Sequence, residues 1–199
     1  YMVPFNDKNK GKVAQFQIGY KGLIQLAIRS GQYKKINVMA IKKGELEYFD
    51  PLNEEISVKL MIGDWNAREE AETIGYYAMF ELVNGFKKAI YWSKEQMEAH
   101  ALKYSMGYRA KKGYTFWEKD FDGMAYKTML RQLLSKWGIM STEMMNAIDS
   151  DEAVINDDGS KTYVETEEVI TAPAAEPKKE PAPEEAPADD PAAALFGGS

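Results

Sequence analysis

Residues 74–92 read IGYYAMFELVNGFKKAIYW, and this stretch decides the fold class. Two runs rich in aromatic and aliphatic residues, 74–82 and 86–92, flank Asn84-Gly85. That dipeptide marks a tight hairpin because both residues accept the positive φ such turns demand. Two antiparallel strands are therefore expected in the middle of the chain. Directly after them, Ser93-Lys94-Glu95-Gln96 matches a capping box and starts a helix to about Tyr104.

Upstream of the hairpin, residues 13–20 (VAQFQIGY) alternate. Phe16, Ile18 and Tyr20 share one face and Gln15 and Gln17 the other, the pattern of a strand. A short helix over residues 21–30 follows, closed by Gly31. Leu23, Ile24, Ala27 and Ile28 can face a core, while Lys21, Gln25 and Arg29 recur every four residues on the opposite stripe. Residues 33–41 and 45–49 flank Lys43-Gly44, a second expected hairpin turn, and residues 56–62 offer a further strand.

Downstream, residues 105–117 lack clear periodicity. A longer helix is expected from about Lys119 to Trp137, with Phe121, Met124, Ala125, Thr128, Leu130, Leu133, Leu134 and Trp137 available for packing. Gly138 ends it, and Ser141 or Thr142 caps one more short helix to about Ile148. No repeat with a period of 20–50 residues is visible. Hairpins followed by helices define an α+β domain, a small antiparallel sheet packed with helices, over residues 1–148. A chain of that length buries about 68% of its unfolded surface, enough for one core.

The net charge of −6 over 199 residues conceals a partition. Residues 1–148 hold 22 Lys and Arg against 17 Asp and Glu, a net of +5, whereas residues 149–199 hold 3 Lys against 14 Asp and Glu, a net of −11. Six of the eight prolines lie in the second part, with only Tyr163 and Phe196 as aromatics. A segment so poor in apolar surface cannot offset its ordering entropy. Residues 149–171 are expected to be a linker, with a weakly alternating strand near 162–170, and residues 172–199 a disordered Pro/Ala/Glu acidic tail. The first residue is Tyr, and residues 1–5 read as mid-strand, so an N-terminal part is expected to be missing.

Composition also narrows the chemistry. With no Cys and His100 alone, the chain cannot build a Cys/His zinc site, a disulfide or a Cys nucleophile. Neither G-x-x-x-x-G-K-[ST] nor G-x-G-x-x-G occurs. His100 reads as a surface or half-buried helix residue. The acidic pairs Glu45/Glu47, Glu54/Glu55 and Glu69/Glu70 could gather Mg²⁺ for a nuclease, but they lie near turns among lysines and read as solvated surface. No apolar run approaches the ~18 residues of a membrane span, and no signal peptide opens the chain, so a cytoplasmic protein without covalent catalysis, metal or cofactor is expected.

Residues 103–117, KYSMGYRAKKGYTFW, are the informative stretch. They hold Lys103, Arg109, Lys111 and Lys112, five aromatics (Tyr104, Tyr108, Tyr114, Phe116 and Trp117) and no acid. Cations neutralise phosphates and aromatic faces stack on exposed bases, the combination a single-strand binder needs. The plainer alternative is a basic loop whose aromatics cover the core. Lys127 and Arg131, at i and i+4, add two cations on one helix face, with a solvated helix face as their plain alternative.

These residues carry a resemblance. Residues 15–23 (QFQIGYKGL), followed by residues 26–31 (LAIRSG), resemble the first signature of the RecT/Redβ family of phage-type single-strand annealing proteins. Trp117, residues 121–128 (FDGMAYKT) and Leu130-Arg131 resemble the second, with Phe116 and Gly123 departing from the family pattern. The likeness covers about residues 1–145 and implies a recombinase that binds single-stranded DNA and anneals complementary strands without ATP. It further implies rings or filaments of identical subunits, with a 5′→3′ exonuclease and a host single-strand-binding protein as partners. By position, Lys21 and Arg29 would lie in or near a DNA groove, Lys127 and Arg131 would contact phosphates, and Trp117 with the aromatics before it would lie beside the bases. A passive single-strand binder is the rival reading.

Overall fold

The computed structural model describes residues 2–7, 11–151, 153–155 and 161–163. In chain order the elements are β1 (Met2–Asp7), β2 (Gly11–Phe16), α1 (Tyr20–Arg29), β3 (Tyr33–Lys42), β4 (Leu46–Asp50), β5 (Glu55–Val58), α2 (Trp65–Glu70) and β6 (Thr73–Leu82). They continue with β7 (Lys87–Ser93), α3 (Lys94–Tyr104), α4 (Met106–Arg109), α5 (Phe116–Lys119), α6 (Phe121–Trp137), α7 (Thr142–Ser150), β8 (Ala153–Ile155) and β9 (Lys161–Tyr163). The α+β class expected from the sequence is the one observed.

The expected β6–β7 hairpin forms the middle of the fold. Leu82 N–H donates to Phe86 O at 2.8 Å and Gly85 N–H to Leu82 O at 3.0 Å. They enclose a three-residue loop with Gly85 at φ +87°, the left-handed position where glycine is favoured. The central antiparallel sheet has the order β3-β6-β7. Register stacks Ala40, Tyr76 and Trp92 across it, then Val38, Ala78 and Ile90, then Ile36, Phe80 and Lys88.

On that face Tyr76, Ala78 and Phe80 are fully buried beneath α6, which contributes Ala125, Met129, Leu130, Leu133 and Leu134. Each such buried leucine stabilises the fold by about 1.5–3 kcal/mol. Helix α1 adds Leu23 and Ala27, and α3 adds Met97 and Ala101. Tyr76 donates its hydroxyl hydrogen to Asp122 Oδ1 at 2.6 Å, fixing the first turn of α6 over the sheet centre. Burial, then the Asp122 carboxylate, pushes that phenol well above its ordinary value.

The capping box before α3 is present as read, with Ser93 and Gln96 reciprocally bonded. The strand expected over 13–20 stops at Phe16, because Tyr20 already belongs to α1 and the first sheet pairs only that far. Lys43-Gly44 turns the chain, with Gly44 at φ +92°, but joins no hairpin. Strand β3 pairs with β6, and β4 pairs with β5.

The physical reason is Glu45. Read as solvated, it is fully buried and accepts from Lys42 N–H at 2.8 Å, Met61 N–H at 3.1 Å and Arg68 Nε at 2.6 Å. Arg68 also reaches Ala40 O at 3.0 Å. This hub pins the strand break and gives α2 its anchor. Among the described residues no group of acids or histidine could hold a metal ion, and no helix is long and apolar enough to cross a membrane.

Folded structure continues beyond residue 148. Asp151 is buried, and β8 pairs with β2 at Val154 opposite Gln15, within a sheet of order β1-β2-β8-β9. Strand β9 takes in residues 162–163 of the weakly alternating stretch, while residues 164–171 and the tail 172–199 lie outside the described residues.

Candidate nucleic-acid interface

Glycine at residue 19 begins α1 without a side chain to cap it. The first helical N–H groups therefore have no side-chain cap, and the positive end of the helix dipole favours an anion there. They open onto a groove with a cavity volume of about 580 Å³. Tyr20 and Lys21 form one wall, Phe116, Asp120 and Met124 the other, and Lys127 lies at the base. Lys21 is exposed, and its ammonium lies 5.9 Å from the Tyr20 ring centroid.

The opposite wall is built by two consecutive caps. Thr115 and Glu118 form a capping box that starts α5, and Asp120 caps α6 by accepting from Gly123 N–H at 2.9 Å. A Cβ on Gly123 would stand 2.2 Å from an Asp120 carboxylate oxygen, so the departure at this position leaves room for the cap. Glu118 also accepts from Gly113 N–H at 2.9 Å, which ties the basic loop over residues 110–114 to the start of α5. The three hydrogen bonds from Thr115 and Gly113 hold the Glu118 carboxyl below its ordinary value.

This arrangement sorts the aromatics. Phe116 is 39% exposed and lines the groove. Trp117, the residue expected beside the bases, is 7% exposed and packs in the core, 5.2 Å from the Phe121 ring. Adjacent residues in a short helix point about 100° apart, so only one of the two can face the groove. The capping signature T-F-W-E marks a helix start and so shows that the two rings point in different directions, which an aperiodic reading of the stretch does not.

The cations are also divided. Lys127 lies largely buried, 2.8 Å from Asp151 Oδ2, and Arg131 Nη1 lies 2.9 Å from the same oxygen. Asp151 Oδ1 accepts from Ile18 N–H at 2.9 Å as well. One buried carboxylate thus gathers both late-helix cations and the chain entering the groove. Asp151 was the functional neighbour hidden from the sequence, because it lies twenty residues beyond Arg131 in an acidic stretch.

The remaining residues lie outside the groove. Arg109, Lys111 and Lys112 are exposed on α4 and the loop after it, with Lys112 6.0 Å from the Tyr114 ring. Lys103 is exposed at the end of α3, over Tyr104 at 5.2 Å. Arg29 sits at the far end of α1, 3.5 Å from Glu143.

An α+β core with a cation-bearing, aromatic-walled groove is the class of fold these elements define. The RecT family model matches residues 1–170, and the chain belongs to the RecT family. It is 45% identical over 173 residues to the uncharacterized protein YqaK of Bacillus subtilis, covering 84% of this chain and 55% of that protein. It is 31% identical over 156 residues to protein RecT of Escherichia coli, covering 76% of this chain and 54% of that protein. The chain spans about half the length of these curated relatives.

Proposed function

We propose that this chain binds single-stranded DNA and promotes the annealing of complementary strands in recombination without ATP. The observation that carries the reading is the groove itself. Its two walls come from the two stretches that carry the resemblance, with Tyr20 and Lys21 from the first facing Met124 in the second and Phe116 just before it. Membership of the RecT family supports the same reading.

The chemistry follows from charge. Two complementary strands repel, and cations that displace counterions remove part of that repulsion. Lys21 and the uncapped start of α1 would hold phosphates, and Phe116 would stack on a base whatever its identity. With the backbone held and the Watson–Crick edges outward, a second strand can test its register. Base pairing then supplies the driving force and no covalent step is required. Assembly of several copies along one strand, and work beside an exonuclease and a host single-strand-binding protein, belong to the same proposal.

The test is the annealing rate of two labelled complementary oligonucleotides, measured without ATP across a salt series. Acceleration that fades with salt is the expected outcome. Strands that bind but anneal more slowly than in buffer would replace this reading with the passive binder.

A further inference from the structure

At the opposite end of α1 from the groove, three lysines converge on one carboxylate. Register places Lys35, Glu81 and Lys87 directly opposite one another across β3, β6 and β7. Lys34 Nζ lies 2.9 Å from Glu81 Oε1, Lys35 Nζ 3.8 Å from Oε2, and Lys87 Nζ 3.7 Å from Oε2. The Glu81 side chain is only 7% exposed, whereas each lysine is 60% or more exposed. The lysines hold the Glu81 carboxyl below its ordinary value, Lys34 foremost.

One lysine would neutralise this carboxylate. Three leave two positive charges in excess, held close together on the surface by a buried acid. Alternation along β6 puts this cluster on the face of the sheet opposite to Phe80 and α6. Clustered exposed cations displace counterions and hold nucleic-acid phosphates.

The ten residues of α1 run about 15 Å from Tyr20 at the groove to Arg29, five residues before Lys34 in the sequence. Exposed Lys21, Gln25 and Arg29 recur every four residues along that helix. A strand leaving the groove along α1 reaches the cluster by passing the β3 edge of the sheet.

We propose that Lys34, Lys35 and Lys87, gathered around Glu81, form a second contact for the phosphate backbone of the single strand held in the groove. The site rests on the single-strand reading above and extends the DNA track along α1 to the β6–β7 hairpin. Glu81 touches no DNA and offsets one of the three positive charges.

The experiment uses the full chain and a labelled oligothymidylate, with affinity measured across a salt series. The variant K34Q/K35Q/K87Q/E81Q removes the excess charge and leaves no orphaned acid. With two fewer phosphates neutralised, the salt slope should flatten by about 1.4 and binding at low salt should weaken several-fold. An unchanged slope in a folded variant overturns the proposal. Glu81→Gln alone removes the only negative charge of the cluster, so tighter binding with a steeper slope is expected. Equal or weaker binding by that variant also overturns it. The groove reading fails separately, if Lys21→Ala with Phe116→Ala leaves oligothymidylate binding intact.

Discussion

At the scale of single residues, neighbours in the sequence have opposite tasks. Phe116 offers its ring to the groove and Trp117 buries its own in the core. Phe116→Ala is expected to weaken single-strand binding by about 1–3 kcal/mol, the contribution of one stacked base, while leaving the melting temperature nearly unchanged. Trp117→Ala should do the reverse and cost about 3–5 kcal/mol of stability. Paired thermal melts and binding titrations decide it, and equal binding losses with equal stability would refute the division. Glu45 makes a different prediction, about pH. Desolvation raises its carboxyl, but the Arg68 guanidinium and the Lys42 and Met61 N–H groups outweigh it and hold the group below its ordinary value. A depressed carboxyl stabilises the fold above its unfolded value and loses that contribution as pH falls through the folded one. Stability should therefore decline as pH falls below about 4.5, and Glu45→Gln should flatten that decline in acid melts.

At the scale of elements, legibility followed from how local each signal was. The β6–β7 turn and the Ser93 capping box are written within four residues, and both appear as read. The strand pairing of β3 was not local. It depends on Glu45 turning inward to Arg68, 23 residues away, so the Lys43-Gly44 turn reads like a hairpin and is not one. The groove was partly legible, since Lys21 and Phe116 both stood in stretches singled out for DNA. What tied Lys127 and Arg131 was not, because a buried acid and a solvated acid look alike in sequence. Asp151 joins α6 to the segment entering α1, and this makes a testable claim about elements. Asp151→Ala leaves Lys127 without this carboxylate partner and Ile18 N–H without an acceptor. Losing one partner of a buried ion pair typically costs about 3–5 kcal/mol. Chemical denaturation should show a loss of that order, and a chain ending at residue 148 should show at least as much. A loss below about 1 kcal/mol would mean that Asp151 does not clamp these elements.

Across the whole molecule, charge is the variable that separates residues 1–148 from residues 149–199. The groove and the lysine cluster belong to a part carrying +5, and the acidic part carries −11. Residues 172–199 alone hold six acids and two lysines, so deleting them changes the net charge from −6 to −2. Like-charged segments tethered near a binding surface lower the local potential and compete with DNA phosphates for the same cations. Such competition is strongest at low salt and fades as counterions screen exposed charges beyond about 10 Å at 0.1 M. Removing residues 172–199 should therefore tighten single-strand binding at low salt, with the difference from the full chain shrinking as salt rises. Stability should not change, since Asp151 and β8 remain in the shortened chain. Titration of both chains with the same oligonucleotide over a salt series measures this directly. Identical affinities at low salt would mean that the tail neither occupies nor shields the cationic surface, and that the groove's +5 surroundings alone set its affinity.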